Sequence, residues 1–229
     1  MADQGRYLPL RILEPLILFV SLIVLNWGLY RIIGPVSPWI ARHATVLNTA
    51  LFLYLPLIPL GRKGENRLDA DQYGLSIGEI PRSTLLFLIT FSIVAPLFTL
   101  GFYLVSVVGF PAFHPRFQPH VLDDFLGHAL FQFFHVALPE EFFFRGYVQT
   151  RFDQLFRGRV RVLGAPVGWG LPVASAFFAL AHPLLGTGWA NLDTFFPGLL
   201  FGWLKSRRNS LAAPVLMHWS ANLLLFSLT

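Results

Sequence analysis

The stretch Pro139-Glu140-Glu141-Phe142-Phe143-Phe144-Arg145 sets two adjacent carboxylates and a guanidinium inside one of the most apolar parts of the chain. Ionisable groups are costly in such surroundings and are functional candidates by default. Glu141 and Arg145 stand four residues apart, on one helix face, and are expected to brace the helix as an ion pair. Glu140 then has no partner in its own helix. Two histidines, His182 and His218, each follow an apolar run and lie well inside it, and Asn222 follows His218 by one turn. A carboxylate and an imidazole can together deprotonate a water for attack on a carbonyl. His218 and Asn222, on one helix face, can both donate toward one oxygen, as an oxyanion hole requires. The chemistry open to this set is hydrolysis of a peptide bond.

Depth along the helices links these residues. At 1.5 Å per residue, Glu140 lies about 16 Å from Arg151, His182 about 15 Å from Pro172, His218 about 12 Å from Ser210 and Asn222 about 18 Å from Ser210. Three segments thus carry polar groups to nearly one level, where a shared polar cavity costs less than separate burial in lipid. Of the other histidines, His43, His114 and His120 are assigned to outer loops. His128 and His135 precede the diacid on its own helix and are expected to pack or hydrogen-bond.

The elements that must position these groups are membrane spans. The 229 residues are 55% hydrophobic and 13% charged, about half the charge of a soluble domain. Mean hydropathy is +0.59. Apolar runs long enough to cross a bilayer fall at about 10–31, 39–60, 83–109, 121–138 and onward, 171–189, 191–205 and 211–228. The expected fold is all-α, a polytopic transmembrane bundle of about seven spans. The alternating ten-residue pattern of a membrane β-barrel is absent. One domain, 1–229, is expected, with generic spans over 1–120 and the chemical motifs in 121–229. The segment from Asp123 to Arg151 reads either as one long helix kinked at Pro139 or as two helices.

With a cytoplasmic N-terminus, thirteen of the 17 Lys and Arg fall on the inner side, three on the outer side, and Arg145 in the membrane. That bias obeys the positive-inside rule. The net charge of +5 therefore marks cytoplasmic loops and not a nucleic-acid partner. The basic start followed by an uncleaved apolar run reads as a retained signal anchor. The absence of cysteine excludes a thiol nucleophile, Cys-ligated zinc and iron–sulfur clusters.

Glu140-Glu141-x-x-x-Arg145, Phe178-x-x-x-His182 and His218-x-x-x-Asn222, in this order, resemble the three-motif pattern of the CPBP family. That family holds the CAAX prenyl endopeptidases of the Ras-converting-enzyme type and the bacteriocin-processing or immunity proteins. The linking sequence Phe196-Pro197-Gly198-Leu199-Leu200-Phe201-Gly202-Trp203-Leu204 and Ser210-Leu211-Ala212-Ala213-Pro214 is similar too. The extended form from Leu138 to Tyr147 also resembles bacterial members paired with C-terminal sorting signals, the myxosortase type. The resemblance implies a glutamate-type intramembrane endopeptidase in a multi-pass cell membrane protein, a bacterial cytoplasmic membrane by motif style. It implies no obligatory cofactor and a membrane-associated protein or peptide as substrate. Glu140 and His182 would activate the water, His218 and Asn222 would hold the oxyanion, and Glu141 with Arg145 would brace the site.

Other readings use the same residues. Glu140, His182 and His218 also make a two-histidine, one-carboxylate zinc set. A non-catalytic membrane chaperone or immunity protein could keep the motifs for packing. Broken helices at 164–172 and 183–188 suit a transporter, but no second half mirrors them. His-Glu-x-x-His and Gly-x-Gly-Asp, the marks of zinc and aspartyl intramembrane proteases, are absent. Gly74-Leu75-Ser76-Ile77-Gly78 fits a nucleophile-elbow pattern without its strand–turn–helix context, and reads as a turn.

Overall fold

Long apolar runs leave the backbone no partner but itself, so nearly every described element is a helix. A computed structural model describes residues 8–60, 70–108 and 124–228. Helix α1 (Leu8–Trp27) runs on through a wider π turn, Gly28–Ile33. Helix α2 (Pro38–Tyr54) starts with Pro38 in its first turn and Ser37 as its cap, whose Oγ accepts the Ile40 N–H at 3.4 Å. Helix α3 (Ile80–Val108) follows a 3₁₀ turn at Ile77–Glu79. Helix α4 covers 125–155, and α5 (Gly170–Leu184), α6 (Phe195–Arg208) and α7 (Ala212–Leu228) complete the bundle.

Among the described residues, two helices are long and apolar enough to cross a membrane by themselves, Ile12–Ile33 with mean hydropathy 2.0 and Ile77–Val108 with 2.3. Only 11% of the most apolar window of Ile77–Val108 is buried against protein. Leu85, Ile89, Ile93 and Leu97 on α3, and Ile17, Val20 and Val24 on α1, point outward. Water would not tolerate that surface, and lipid does. The structure is that of a helical membrane protein.

Helix α4 is the continuous form of the two anticipated for the diacid segment. It is wound as Phe125–Phe131, π turns at Gln132–Ala137, a short α stretch at Leu138–Glu141, π turns at Phe142–Gln149, and a final Thr150–Leu155. Pro139 has no N–H to give to the carbonyl one turn back, that of His135. The Thr49 hydroxyl of α2 approaches this His135 oxygen at 3.4 Å. Wider winding before Pro139 and a neighbour's hydroxyl thus replace a break. The π winding between Glu140 and Arg151 also advances less per residue than an α-helix, so Glu140 lies shallower than 16 Å from that end.

Around α4 pack α1, α2, α5, α6 and α7. Their shared core is largely aromatic, with Phe143, Phe144 and Tyr147 of α4 meeting Phe52, Phe178 and Phe201. Gly198 and Gly202 of α6 let it approach closely. A Cβ at Gly198 would sit 3.2 Å from Arg145 Nη2 and 3.2 Å from Ser175 Cβ, and one at Gly202 would sit 2.9 Å from Gln149 Oε1 and 3.0 Å from Leu171 Cγ. The start of α7 is fixed by α3, since the Ala213 N–H donates to Ser83 Oγ at 2.9 Å.

The all-α expectation holds, and the sheet among the described residues is one short hairpin. An antiparallel hairpin, β1 (Arg159–Val162) and β2 (Ala165–Gly168), joins α4 to α5. Leu163 and Gly164 turn it with φ of 47° and 79°, the two left-handed positions of a tight hairpin turn. Asp153, near the end of α4, accepts the Gly170 N–H at 2.8 Å and so caps α5. The position of His43 is corrected: it lies in α2, bonded to the Trp39 carbonyl at 2.7 Å and stacked on that indole. His114 and His120 lie outside the described residues. Gly74 to Gly78 is the anticipated turn, with Gly74 at φ +78° and a 3₁₀ turn following.

Candidate active site

Adjacent residues on a helix point roughly 100° apart, so Glu140 and Glu141 must meet different neighbours. Glu141 turns inward and is fully buried. Its Oε1 accepts from Arg145 Nη1 at 2.8 Å, the anticipated brace. The same oxygen lies 2.9 Å from His218 Nδ1 on α7. One carboxylate therefore binds its own helix and pins an imidazole of another. Arg145, equally buried, also donates to the Gly198 carbonyl at 3.3 Å. Its guanidinium lies over the Phe178 ring at 4.3 Å and near the Phe201 ring at 5.1 Å. Aromatic faces and a carbonyl thus share the cation with Glu141 where water does not reach.

Glu140 keeps 20% of its side chain exposed, and its Oε2 lies 4.0 Å from His218 Nε2. A carboxylate on Nδ1 holds hydrogen on that nitrogen and turns Nε2 toward Glu140. The separation is too long for a direct hydrogen bond and leaves room for one oxygen between the two groups. The ring of His218 is stacked on Phe201 at 5.1 Å and set edge-on to Phe178 at 5.6 Å.

His182 enters from α5. Its Nδ1 donates to the Phe178 carbonyl at 2.8 Å, with Thr194 Oγ1 at 3.5 Å. With hydrogen on Nδ1, its Nε2 is left as an acceptor. The His182 ring lies edge-on to that of Phe178 at 4.7 Å, and the same Phe178 ring meets His218 at 5.6 Å. Asn222 lies one turn beyond His218, and its Nδ2 donates to Gln132 Oε1 of α4 at 3.0 Å. Glu140, Glu141, Arg145 and His218 are thus neighbours, His182 joins them through the Phe178 ring, and Asn222 is held by Gln132. Among the described residues, no three His, Cys, Asp or Glu side chains converge as a metal-ligand group.

Three contacts were not foreseen. The reach of Glu141 across to His218 is a tertiary contact that helix spacing cannot show. Gln132 sits eight residues before Glu140, near the same face of α4, a signal available but unused. On α1, Glu14 Oε1 accepts from Arg151 Nη2 at 2.6 Å and from the Tyr147 hydroxyl at 2.9 Å, tying the first helix beneath the site. His135 and His128 take the packing roles expected of them, the first beside Thr49 Oγ1 at 3.0 Å, the second against the Phe226 ring.

Fold and site together define a helical membrane protein with a buried carboxylate–imidazole cluster fed by three helices. Residues 123–224 match the model of the type II CAAX prenyl endopeptidase Rce1-like family, a family of membrane-embedded proteases. The match takes in all six motif residues from Glu140 to Asn222. No curated protein and no solved structure matches the chain.

Proposed function

We propose that the protein is a glutamate-type intramembrane endopeptidase that needs no metal. Glu140, helped by the acceptor nitrogen of His182, takes a proton from a water whose oxygen attacks the scissile carbonyl carbon. The oxyanion formed is held by His218 Nε2–H and by the Asn222 amide, which keeps a second N–H beyond the one given to Gln132. Glu140 then passes its proton to the leaving amine, and the carbon–nitrogen bond breaks.

For His218 to donate from Nε2 it must carry hydrogen on both nitrogens. The observation that carries the reading is the 4.0 Å gap between Glu140 Oε2 and His218 Nε2, with His218 pinned by Glu141. A reacting oxygen fits there in contact with both.

The substrate class is a membrane-associated protein or peptide cut near its C-terminus, a lipidated CAAX end or a bacterial sorting tail. The chain crosses a bacterial cytoplasmic membrane about seven times, with its N-terminus inside. Purified protein in nanodiscs, incubated in ¹⁸O-water with farnesylated CAAX and sorting-tail peptides, tests the reading by mass spectrometry. Wild type is expected to give one cut that carries a single ¹⁸O, and Glu140→Gln to cut about 10²–10⁴-fold more slowly. Equal cleavage by both would sink the mechanism.

A further inference from the structure

The β1–β2 hairpin is a second built feature, remote from the chemistry. Its strands put Arg159 and Arg161 on one face and Val160 and Val162 on the other, since side chains alternate along a strand. Val160 is 66% exposed and Leu163, at the tip, 84%. Leu163 holds φ at 47°, a conformation that favours Asn, Asp or Gly and that a leucine adopts only at a cost. An apolar side chain at the most exposed point of a left-handed turn has no use in water.

Position narrows the use. The hairpin is clamped to the end of α6, where Trp203 Nε1 donates to the Val162 carbonyl at 2.9 Å and Arg207 Nη1 to the Gly164 carbonyl at 3.1 Å. That end of α6 carries Lys205, Arg207 and Arg208 in its last turn. Residues 154–169 contain three arginines and no acidic residue. Asp153, the acid beside β2, is buried and taken up by the Gly170 N–H, so apolar points beside exposed arginines match the acyl and phosphate layers of an anionic bilayer surface, where each arginine near the surface adds to the attraction. A soluble protein partner would need acidic groups and would leave the apolar tip unexplained.

We infer that the hairpin is an interfacial anchor: Val160, Val162 and Leu163 dip into the bilayer at the basic end of the bundle, and Arg159 and Arg161 hold anionic phospholipid headgroups. The anchor would steady the α4–α5 connection, and with it the two helices that carry Glu140 and His182. This inference rests on membrane embedding alone and does not depend on the catalytic reading.

The chain has no cysteine, so single nitroxide labels can be placed at L163C and R161C without other changes. In nanodiscs containing phosphatidylglycerol, the label at 163 should be reached by oxygen more than by a water-soluble nickel complex, and the label at 161 the reverse. Leu163→Asn suits the turn and removes the apolar tip, so a label at V160C in that background should become more open to nickel. Partition of spin-labelled phosphatidylglycerol onto the protein should weaken by about fivefold for each of Arg159→Ser and Arg161→Ser. A label at 163 as open to nickel as that at 161, the sign of a surface free for a soluble partner, overturns the anchor. Unchanged lipid selectivity in the arginine variants overturns it equally.

Discussion

Replacing Glu141 with Gln should cost the protein its stability, whereas the same change at Glu140 should cost only its activity. Glu141 is fully buried and holds Arg145 at 2.8 Å and His218 at 2.9 Å. A neutral amide in its place leaves the guanidinium without a counter-charge where water does not reach. Breaking a buried pair in this way costs about 3–5 kcal/mol. At about 2–4 °C per kcal/mol for a chain of this size, the thermal midpoint in detergent should fall by about 6–20 °C. Glu140 is partly exposed and meets His218 across 4.0 Å, so its amide should cost less than about 1 kcal/mol. The double variant Glu141→Leu/Arg145→Met removes both charges, and should recover much of the lost stability while staying inactive, because His218 loses its partner on Nδ1. The assay is a double-mutant cycle of midpoints read beside peptide cleavage. An unchanged midpoint for Glu141→Gln, or a double variant as active as wild type, would refute the division of labour between the two glutamates.

Gly198→Ala and Gly202→Ala should each lower stability by about 1–3 kcal/mol, because a Cβ there meets Ser175, Leu171 and the head groups of Arg145 and Gln149. A midpoint equal to wild type for Gly202→Ala would show that α4 and α6 are looser than described. Cleavage should survive exhaustive chelation by EDTA and 1,10-phenanthroline, and loss of activity restored by Zn²⁺ would instead make Glu140, His182 and His218 metal ligands. Asp153 stands beyond the basic end of its span, and burial pushes its carboxyl above the ordinary value of 3.8 against the pull of the Gly170 N–H. A raised value means that its contribution is complete below about 3.8 and is lost as pH rises through the folded-state value. The midpoint of wild type relative to Asp153→Asn should therefore fall as pH rises above about 3.8, and a gap constant with pH would contradict it.

The helices and the diacid were readable because each rests on a local rule. Apolar length gives the spans, and a four-residue spacing gives the Glu141–Arg145 pair. The hairpin was missed although Arg159-Val160-Arg161-Val162-Leu163-Gly164 alternates with period two and ends in a turn residue. Four-residue strands in a basic loop make no apolar run, and helix-length windows average the alternation away. Depth arithmetic brought Glu140, His182 and His218 to one level, yet its starting points were wrong. Helix α5 begins at Gly170 and α7 at Ala212, not at Pro172 and Ser210. The groups still meet, because the starts of helices need not share a plane and tilt compensates for length. The hold of Glu141 on His218, and of Gln132 on Asn222, depends on which faces of α4 and α7 turn together. No one-dimensional pattern contains that rotation.

Why the chain spends two adjacent glutamates follows from the same geometry. A single carboxylate could not both neutralise Arg145 and remain open to a substrate, since the first task demands complete burial and the second forbids it. Side chains one residue apart diverge by roughly 100°, enough to send Glu141 into the Phe178–Phe201 wall and leave Glu140 at the partly exposed face. His218 stands between them, its Nδ1 bonded to Glu141 and its Nε2 facing Glu140 across 4.0 Å. A proton gained or lost at Glu140 is therefore felt at Nε2 of a ring whose other nitrogen is fixed by a charge that does not move. The Phe142–Gln149 π winding begins immediately after the pair, where the wider turn carries Arg145 round to meet Glu141 and Gly198 together. Insertion of one alanine between Glu140 and Glu141 keeps both carboxylates and their burying sequence but rotates one against the other. It should abolish cleavage as completely as Glu140→Gln, and retained activity would mean that the two need not share His218.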